Sequence, residues 1–202
     1  MQYGASLALA AWPGAFARAA RSHDFYFTRL TYESGDWDAY PGAAGAVLRA
    51  LSSVASLRAD PLERVVALGD PRMLESPFCY LCGHKLVQFT AAERRNLERF
   101  VRAGGFLLVD DCSRNPRGLF ARSFEAEMRQ LFGARALLPL PNAHALYTSF
   151  FHLDGGGALR AIAFGGRVRV LYANQNFAQA WSEGQGEPLR LAVNIIHYAL
   201  GV

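Results

Sequence analysis

The segment Gly104 to Cys112, GGFLLVDDC, constrains the chain more than any other. Phe106 to Val109 is apolar without a polar alternate, which is how a strand reads when both of its faces are buried. Such strands belong to parallel sheets covered by helices. Gly104-Gly105 stops whatever precedes the strand, and two carboxylates, Asp110 and Asp111, wait at its far end. The same layout recurs: Tyr32 leads into Glu33-Ser34-Gly35-Asp36-Trp37-Asp38, Leu81 into Cys82-Gly83-His84, and Tyr172 into Ala173-Asn174-Gln175-Asn176. In open α/β sheets ligands sit outside the carboxyl ends of the strands, so the polar residues have collected where such a fold places its crevice.

The remaining segments fit that frame. Phe25 to Tyr32 is aromatic and β-branched and reads as a strand, and Ala43 to Arg58 repeats Val47, Leu48, Leu51, Val54 and Leu57 at helical spacing. Short strands are expected at Leu62 to Leu68 and Phe78 to Cys82. Thr90-Ala91-Ala92-Glu93 is a capping box that opens a helix running to about Ala103. A helix follows over Ser123 to Phe132, an irregular stretch over Leu137 to Gly157, a strand over Val168 to Ala173, and a closing helix over Leu189 to Leu200 with Pro188 in its first turn. Alternating strands and helices select an α/β three-layer sandwich with a largely parallel sheet. At 202 residues the chain suits one such domain, here residues 20–202.

Charge excludes little but directs attention. The net charge is +4, yet the cations are scattered arginines, with Lys85 the only lysine, and no basic run interleaved with aromatics marks a nucleic-acid surface. Ala5 to Trp12, followed by Pro13-Gly14 and Ala17-Arg18-Ala19, has the apolar region and the cleavage pattern of a secretory signal. Met1-Gln2-Tyr3 lacks the positive region such a signal begins with, so residues 1–19 read as the tail of a twin-arginine-type signal started from an internal methionine. The alternative is an ordinary first helix broken by Pro13. The signal reading places the mature protein in the periplasm or outside the cell. No other segment reaches the roughly 18 apolar residues that span a bilayer.

YESGDWD at Tyr32 to Asp38, FCYLCGH at Phe78 to His84, GGFLLVDDC, SFEAEM at Ser123 to Met128 and the Pro-Leu-Pro-x-x-His run at Pro139 to His144 together resemble the bacterial family called domain of unknown function 4159. The resemblance runs from Phe25 to Val202. It implies a class I glutamine amidotransferase-like domain, a flavodoxin-like sandwich. In that superfamily the nucleophilic Cys sits on a turn between glycines, whereas here Cys82 precedes Gly83 and no Gly-x-Cys-x-Gly elbow exists.

Candidate site residues follow from the strand ends. His84 has Asp110 and Asp111 as expected neighbours on the next strand, and a carboxylate there would fix its tautomer for acid/base work. The alternative is a loop-capping His. Cys79 and Cys82 lie three apart on a strand and so face opposite sides, which disfavours a metal or redox pair. Cys82 and Cys112 are open to three readings: buried thiols, a disulfide, or a nucleophile. Asp36, Trp37 and Asp38 either hold a polar ligand or form a structural turn; Asn174, Asn176 and Trp181 are expected to wall the other side, and His144 and His152 to fold over the edge. His84, Asp111, His144 and His152 would make a metal set, but no ligand spacing supports it. Gly104-Gly105 precedes a strand and is no phosphate loop, which disfavours nucleotides. Two functions remain. One is an exported module binding a small polar ligand or an envelope protein at the sheet's carboxyl edge. The other is a hydrolase of an amide, ester or glycan, using His84, Asp111 and Cys82, Cys112 or an activated water.

Overall fold

The computed structural model describes residues 23–133, 137–155 and 158–201; the expected signal segment lies outside them. Seven strands form one sheet: β1 Thr28–Thr31, β2 Arg64–Ala67, β3 Phe78–Gly83, β4 Phe106–Asp111, β5 Leu138–Pro139, β6 Arg160–Phe164 and β7 Arg167–Ala173. Five helices accompany them: α1 Ala43–Val54, α2 Ala91–Arg102, α3 Leu119–Phe132, α4 Phe177–Ser182 and α5 Gly186–Leu200. The strand order is β2-β1-β3-β4-β7-β6-β5. Pairings from β2 through β7 are parallel, and the two that add β6 and β5 are antiparallel. The sheet is therefore largely parallel but mixed.

Period-two alternation explains how each central strand feeds two cores. On β3, Phe78, Tyr80 and Cys82 pack with α1, α4 and α5, while Cys79 and Leu81 pack with α2 and α3. On β4, Phe106 and Leu108 take the first face and Leu107 and Val109 the second. All twelve positions of β3 and β4 are buried. The edge strand β2, by contrast, is mostly exposed.

Local chemistry sets the boundaries. The Thr90 side chain accepts from the Glu93 amide while Glu93 reaches back to the Thr90 amide, so the expected capping box is complete and α2 starts where the sequence places it. The expected first strand is shorter than its aromatic run, because Phe25 makes only an isolated bridge to Ala59. The helix expected to reach Arg58 ends at Val54. Three of these strands and helices are not expected from the sequence: the two-residue β5, inside the stretch expected to be irregular, β6, joined to β7 through Gly165 and Gly166 at positive φ (61° and 77°), and the six-residue α4. Among the described residues no helix is long and apolar enough to cross a membrane.

The chain runs from β1 outward to β2, then returns past β1 to lay down β3, β4 and β7 on the other side. The carboxyl ends of β1 and β3 flank that reversal, the position where doubly wound sheets open a crevice. The core on the α1, α4 and α5 face centres on β3, where Phe78 meets Phe25, Phe27 and Phe106 at ring distances of 5.6, 5.5 and 6.1 Å. Phe78→Ala is expected to cost about 3–5 kcal/mol in a urea unfolding experiment. A loss below about 1 kcal/mol would show that this ring cluster does not hold α1 to the sheet.

Candidate functional site

β1 enters the site through its parity. Phe25, Phe27 and Arg29 share one face, so a guanidinium sits where an apolar side chain is expected, and Arg29 is 1% exposed. A buried cation needs a full set of partners. Arg29 Nε donates to Glu63 at 2.9 Å, and the two terminal nitrogens donate to the carbonyls of Trp37 and Tyr40, each at 3.3 Å, and to Cys82 Sγ at 3.5 Å. The guanidinium thus ties down the loop that follows β1 from beneath.

That loop carries Asp36. Its Oδ1 accepts the amides of His84 (2.8 Å) and Lys85 (3.1 Å), and its Oδ2 lies 2.9 Å from His84 Nδ1. Burial pushes the Asp36 carboxyl up, but these three bonds together hold it below the usual carboxylate range. Ser34 Oγ also accepts the Gln88 amide at 2.8 Å, so the loops after β1 and β3 are laced along their length. Gly83 permits the close approach. A Cβ there would run into the Tyr32 hydroxyl, which donates to the Cys82 carbonyl at 3.0 Å, and would stand 2.9 Å from Asp36 Oδ1. His84 is half-buried, its ring is 5.9 Å from that of Tyr40, and its Nε2 has no hydrogen-bond partner among the described residues.

The partner of His84 is therefore Asp36 and not, as expected, Asp110 or Asp111. The reason is parity at the end of β4. Asp110 points to the face of Phe106 and Leu108, where it accepts the amides of Phe177 (3.0 Å) and Ala178 (2.7 Å) at the start of α4 and the Tyr80 hydroxyl (3.1 Å). Burial drives its carboxyl up to about 6 against those bonds. Asp111 points to the other face, accepting from the Ser113 amide and hydroxyl and from Tyr172 Oη at 2.7 Å. Both carboxylates are fully buried and hold the fold's loops.

The thiols are buried as well. Cys79, Cys82 and Cys112 are free, and Cys82 and Cys112 are 0% and 3% exposed. Cys82 Sγ donates to the Trp37 carbonyl at 3.2 Å, and Cys112 Sγ lies 3.7 Å from Asp110 Oδ2. The hydrogen bond with Cys112 and the Arg29 guanidinium lower the Cys82 thiol against burial; Cys112 rises through the same bond and its own burial.

Other expected members disperse. His144 caps a short 3₁₀ turn through the Leu146 amide and packs on Tyr198, whose ring meets Phe106 at the start of β4, the end of the sheet opposite to His84. His152 and Asp38 are exposed. Trp181 is in the core, stacked on Phe177 with its indole N–H on the Pro188 carbonyl. Asn176, in the left-handed region at φ 54°, caps α4 and donates to Tyr40 Oη at 3.0 Å, whereas the Asn174 amide nitrogen is buried with no hydrogen-bond partner among the described residues. Beyond β7 a separate cavity of about 310 Å³ is lined by Gln175, Phe177, Asp154 and Glu187 among others. Among the described residues no group of three His, Cys, Asp or Glu side chains is placed to hold a metal ion.

Sequence reasoning missed Arg29, Glu63, Tyr40, Tyr80 and Tyr172. For Arg29 the signal was present, a charge in register with two phenylalanines.

Residues 26–200 match the family model described as Domain of unknown function (DUF4159), and the chain belongs to that family. It matches no curated protein.

Asp36 and Asp110 have opposite pH signatures. Asp36, held below its ordinary value, stabilises the fold above about pH 4, and that contribution is lost as pH falls through its folded pKa. Asp110, raised from 3.8 to about 6, binds its proton more tightly in the native state, so stability declines as pH rises across that window, by on the order of 3 kcal/mol. In urea unfolding from about pH 3 to pH 7, Asp110→Asn is expected to flatten the decline between about 4 and 6. Asp36→Asn is expected to cost about 1–3 kcal/mol at neutral pH and to remove the acid-side loss. An unchanged profile in either variant would refute the assignment for that residue.

Proposed function

We propose that this domain is an exported ligand-binding module of the cell envelope whose site is the carboxyl edge between β1 and β3, centred on His84, and that its ligand is a small polar molecule. The observation that carries the reading is the Asp36–His84 pair at the sheet reversal. Asp36 fixes Nδ1 and leaves Nε2 as the polar atom to meet a ligand. The parallel strands, in the order 2-1-3-4 followed by β7, have the arrangement of flavodoxin-like sheets, which bind ligands at this point of reversal. That order supports the amidotransferase-like resemblance. Export rests on the reading of residues 1–19 as a signal.

Binding is favoured over covalent catalysis because Cys82 and Cys112 are covered, one beneath the Trp37 carbonyl and the other beside Asp110. A nucleophile must be reachable by its substrate. One observation favours a second reading. An imidazole oriented through Nδ1 by a carboxylate is the base-and-orienter half of a hydrolase, with water as nucleophile. In that reading Asp36 takes the orienting role first expected of Asp111.

The test is a fragment screen of the full chain followed by amide chemical shifts, with His84→Ala as control. Hits are expected to shift residues 33–40 and 83–86 and to lose about tenfold or more in affinity in the variant, which should fold because His84 is half-buried. Hits that map elsewhere, or that bind the variant equally, would overturn the proposal. Turnover of a fluorogenic amide, ester or glycoside that disappears in both His84→Ala and Asp36→Asn would replace it with the hydrolase.

A further inference from the structure

We propose that the ligand of this edge carries an oxyanion, a carboxylate or a phosphate group, received by Lys85, Arg114 and Arg117 beside His84; the inference rests on the carboxyl edge being the ligand site. The segments 84–92 and 112–124 contain no Asp or Glu and hold His84, Lys85, Arg114, Arg117 and Arg122. They are neighbours in space. Gly83 and Asp111 are register partners, the Val87 amide donates to Ser123 Oγ at 2.8 Å, and a Cβ on Gly83 would stand 3.3 Å from Phe120.

Among the described residues no acid is ion-paired with any of these cations. Asp36 is engaged with His84, and Asp110 and Asp111 are buried with partners of their own. Glu33 and Asp38, on the loop after β1, are the exposed acids beside the site. Of the fourteen described arginines elsewhere, seven are ion-paired. Lys85, Arg114, Arg117 and Arg122 are all exposed and have no ion pair among the described residues. One unpaired surface cation means little, but several on two touching loops without an acid create a local positive potential that concentrates anions. The cavity beyond β7 has the opposite sign, with Asp154 and Glu187 in its lining and no basic residue. An anion is thus directed to one part of the edge.

Two exposed leucines lie among these cations, Leu86 at 38% and Leu119 at 52%. They offer an apolar shoulder, so an organic anion is favoured over an inorganic one.

The experiment titrates isotope-labelled full chain with inorganic phosphate, phenyl phosphate, benzoate, benzyl alcohol and benzylamine and follows amide shifts. Phenyl phosphate and benzoate distinguish the two oxyanions; the alcohol and amine keep the ring and change the charge. Saturable shifts are expected at residues 83–86 and 113–119 with at least one aromatic anion, phenyl phosphate binding more tightly than inorganic phosphate. Affinity should fall with added salt, and by about tenfold or more in an Arg114→Ala/Arg117→Ala double variant. Both side chains are exposed, so the variant's spectrum outside these loops should be unchanged. If the alcohol or amine saturates the same loops as well as the anions do, the ligand site stands and the oxyanion assignment falls. Anion binding that is unaltered in the double variant, or shifts that grow linearly without saturating, also overturn it. If no probe moves these loops while fragments bind elsewhere, both readings fall.

Discussion

The buried guanidinium of Arg29 is the interaction on which the rest of the edge depends. Taking an arginine out of water is costly, and the cost is tolerated where each of its nitrogens finds an acceptor. Here the acceptors are a carboxylate from the segment before β2, two carbonyls of the loop after β1 and a sulfur from β3. Those partners come from three separate stretches of chain, so the ion can be satisfied only when β1, β3 and the intervening loop are already in their native relation. The arginine therefore acts as a register check on the sheet reversal. It also makes the Asp36 loop a fixed object, since its carbonyls cannot move without orphaning a buried cation.

A fixed loop is what gives the Asp36–His84 pair its meaning. An exposed carboxylate–imidazole pair on flexible loops would be screened and poorly oriented. In this chain Asp36 is held by amides of the β3 loop, and the two loops are sewn together again through Ser34 and Gln88. Tyr40, whose carbonyl Arg29 holds, receives Asn176 at its hydroxyl, so the loop after β1 is joined to the start of α4. Asp110 then anchors α4 itself through two amides, which ties β4 to the same construction. The edge is organised by polar groups from β1, β3, β4 and β7, each making a distinct contact.

The fold was more legible than the site, for a physical reason. Strands buried on both faces leave unbroken apolar runs, so β3 and β4 could be placed from sequence; β7, interrupted at Arg169, still shows an apolar run from Val170 to Ala173, and a capping box is a local code that α2 obeys. β6 was missed because Arg160-Ala161-Ile162-Ala163-Phe164 is small and mixed, although the Gly165-Gly166 pair after it is a hairpin signal. α4 was missed because six residues are too few to show a period. His84 and Asp36 were each recognised as strand-end polar residues, yet their pairing was not. Adjacency of β3 and β4 can be inferred from sequence, and it pointed to Asp110 and Asp111. Which strand-end carboxylate turns outward depends on parity and on the path of the loops, and here consecutive acids turn to opposite buried faces while one from the loop after β1 reaches across.

The thiols show why a shifted pKa must be read together with access. Cys82 has two features of an activated nucleophile, a guanidinium at 3.5 Å and a second thiol as hydrogen-bond partner. It lacks the third, a path for an electrophile, because it is 0% exposed and its proton is directed to the Trp37 carbonyl. The same contacts have a structural use. The thiol supplies Arg29 with an acceptor where a carboxylate would add a charge beside Asp110, and it completes the hydrogen bonding of the loop carbonyl. Cys112 in turn sits between Cys82 and Asp110, a proton-bearing group next to a carboxyl that burial has already pushed up. What looks in sequence like a catalytic cysteine at a strand end is, in three dimensions, part of the buried polar layer that holds the Asp36 loop beneath the His84 imidazole.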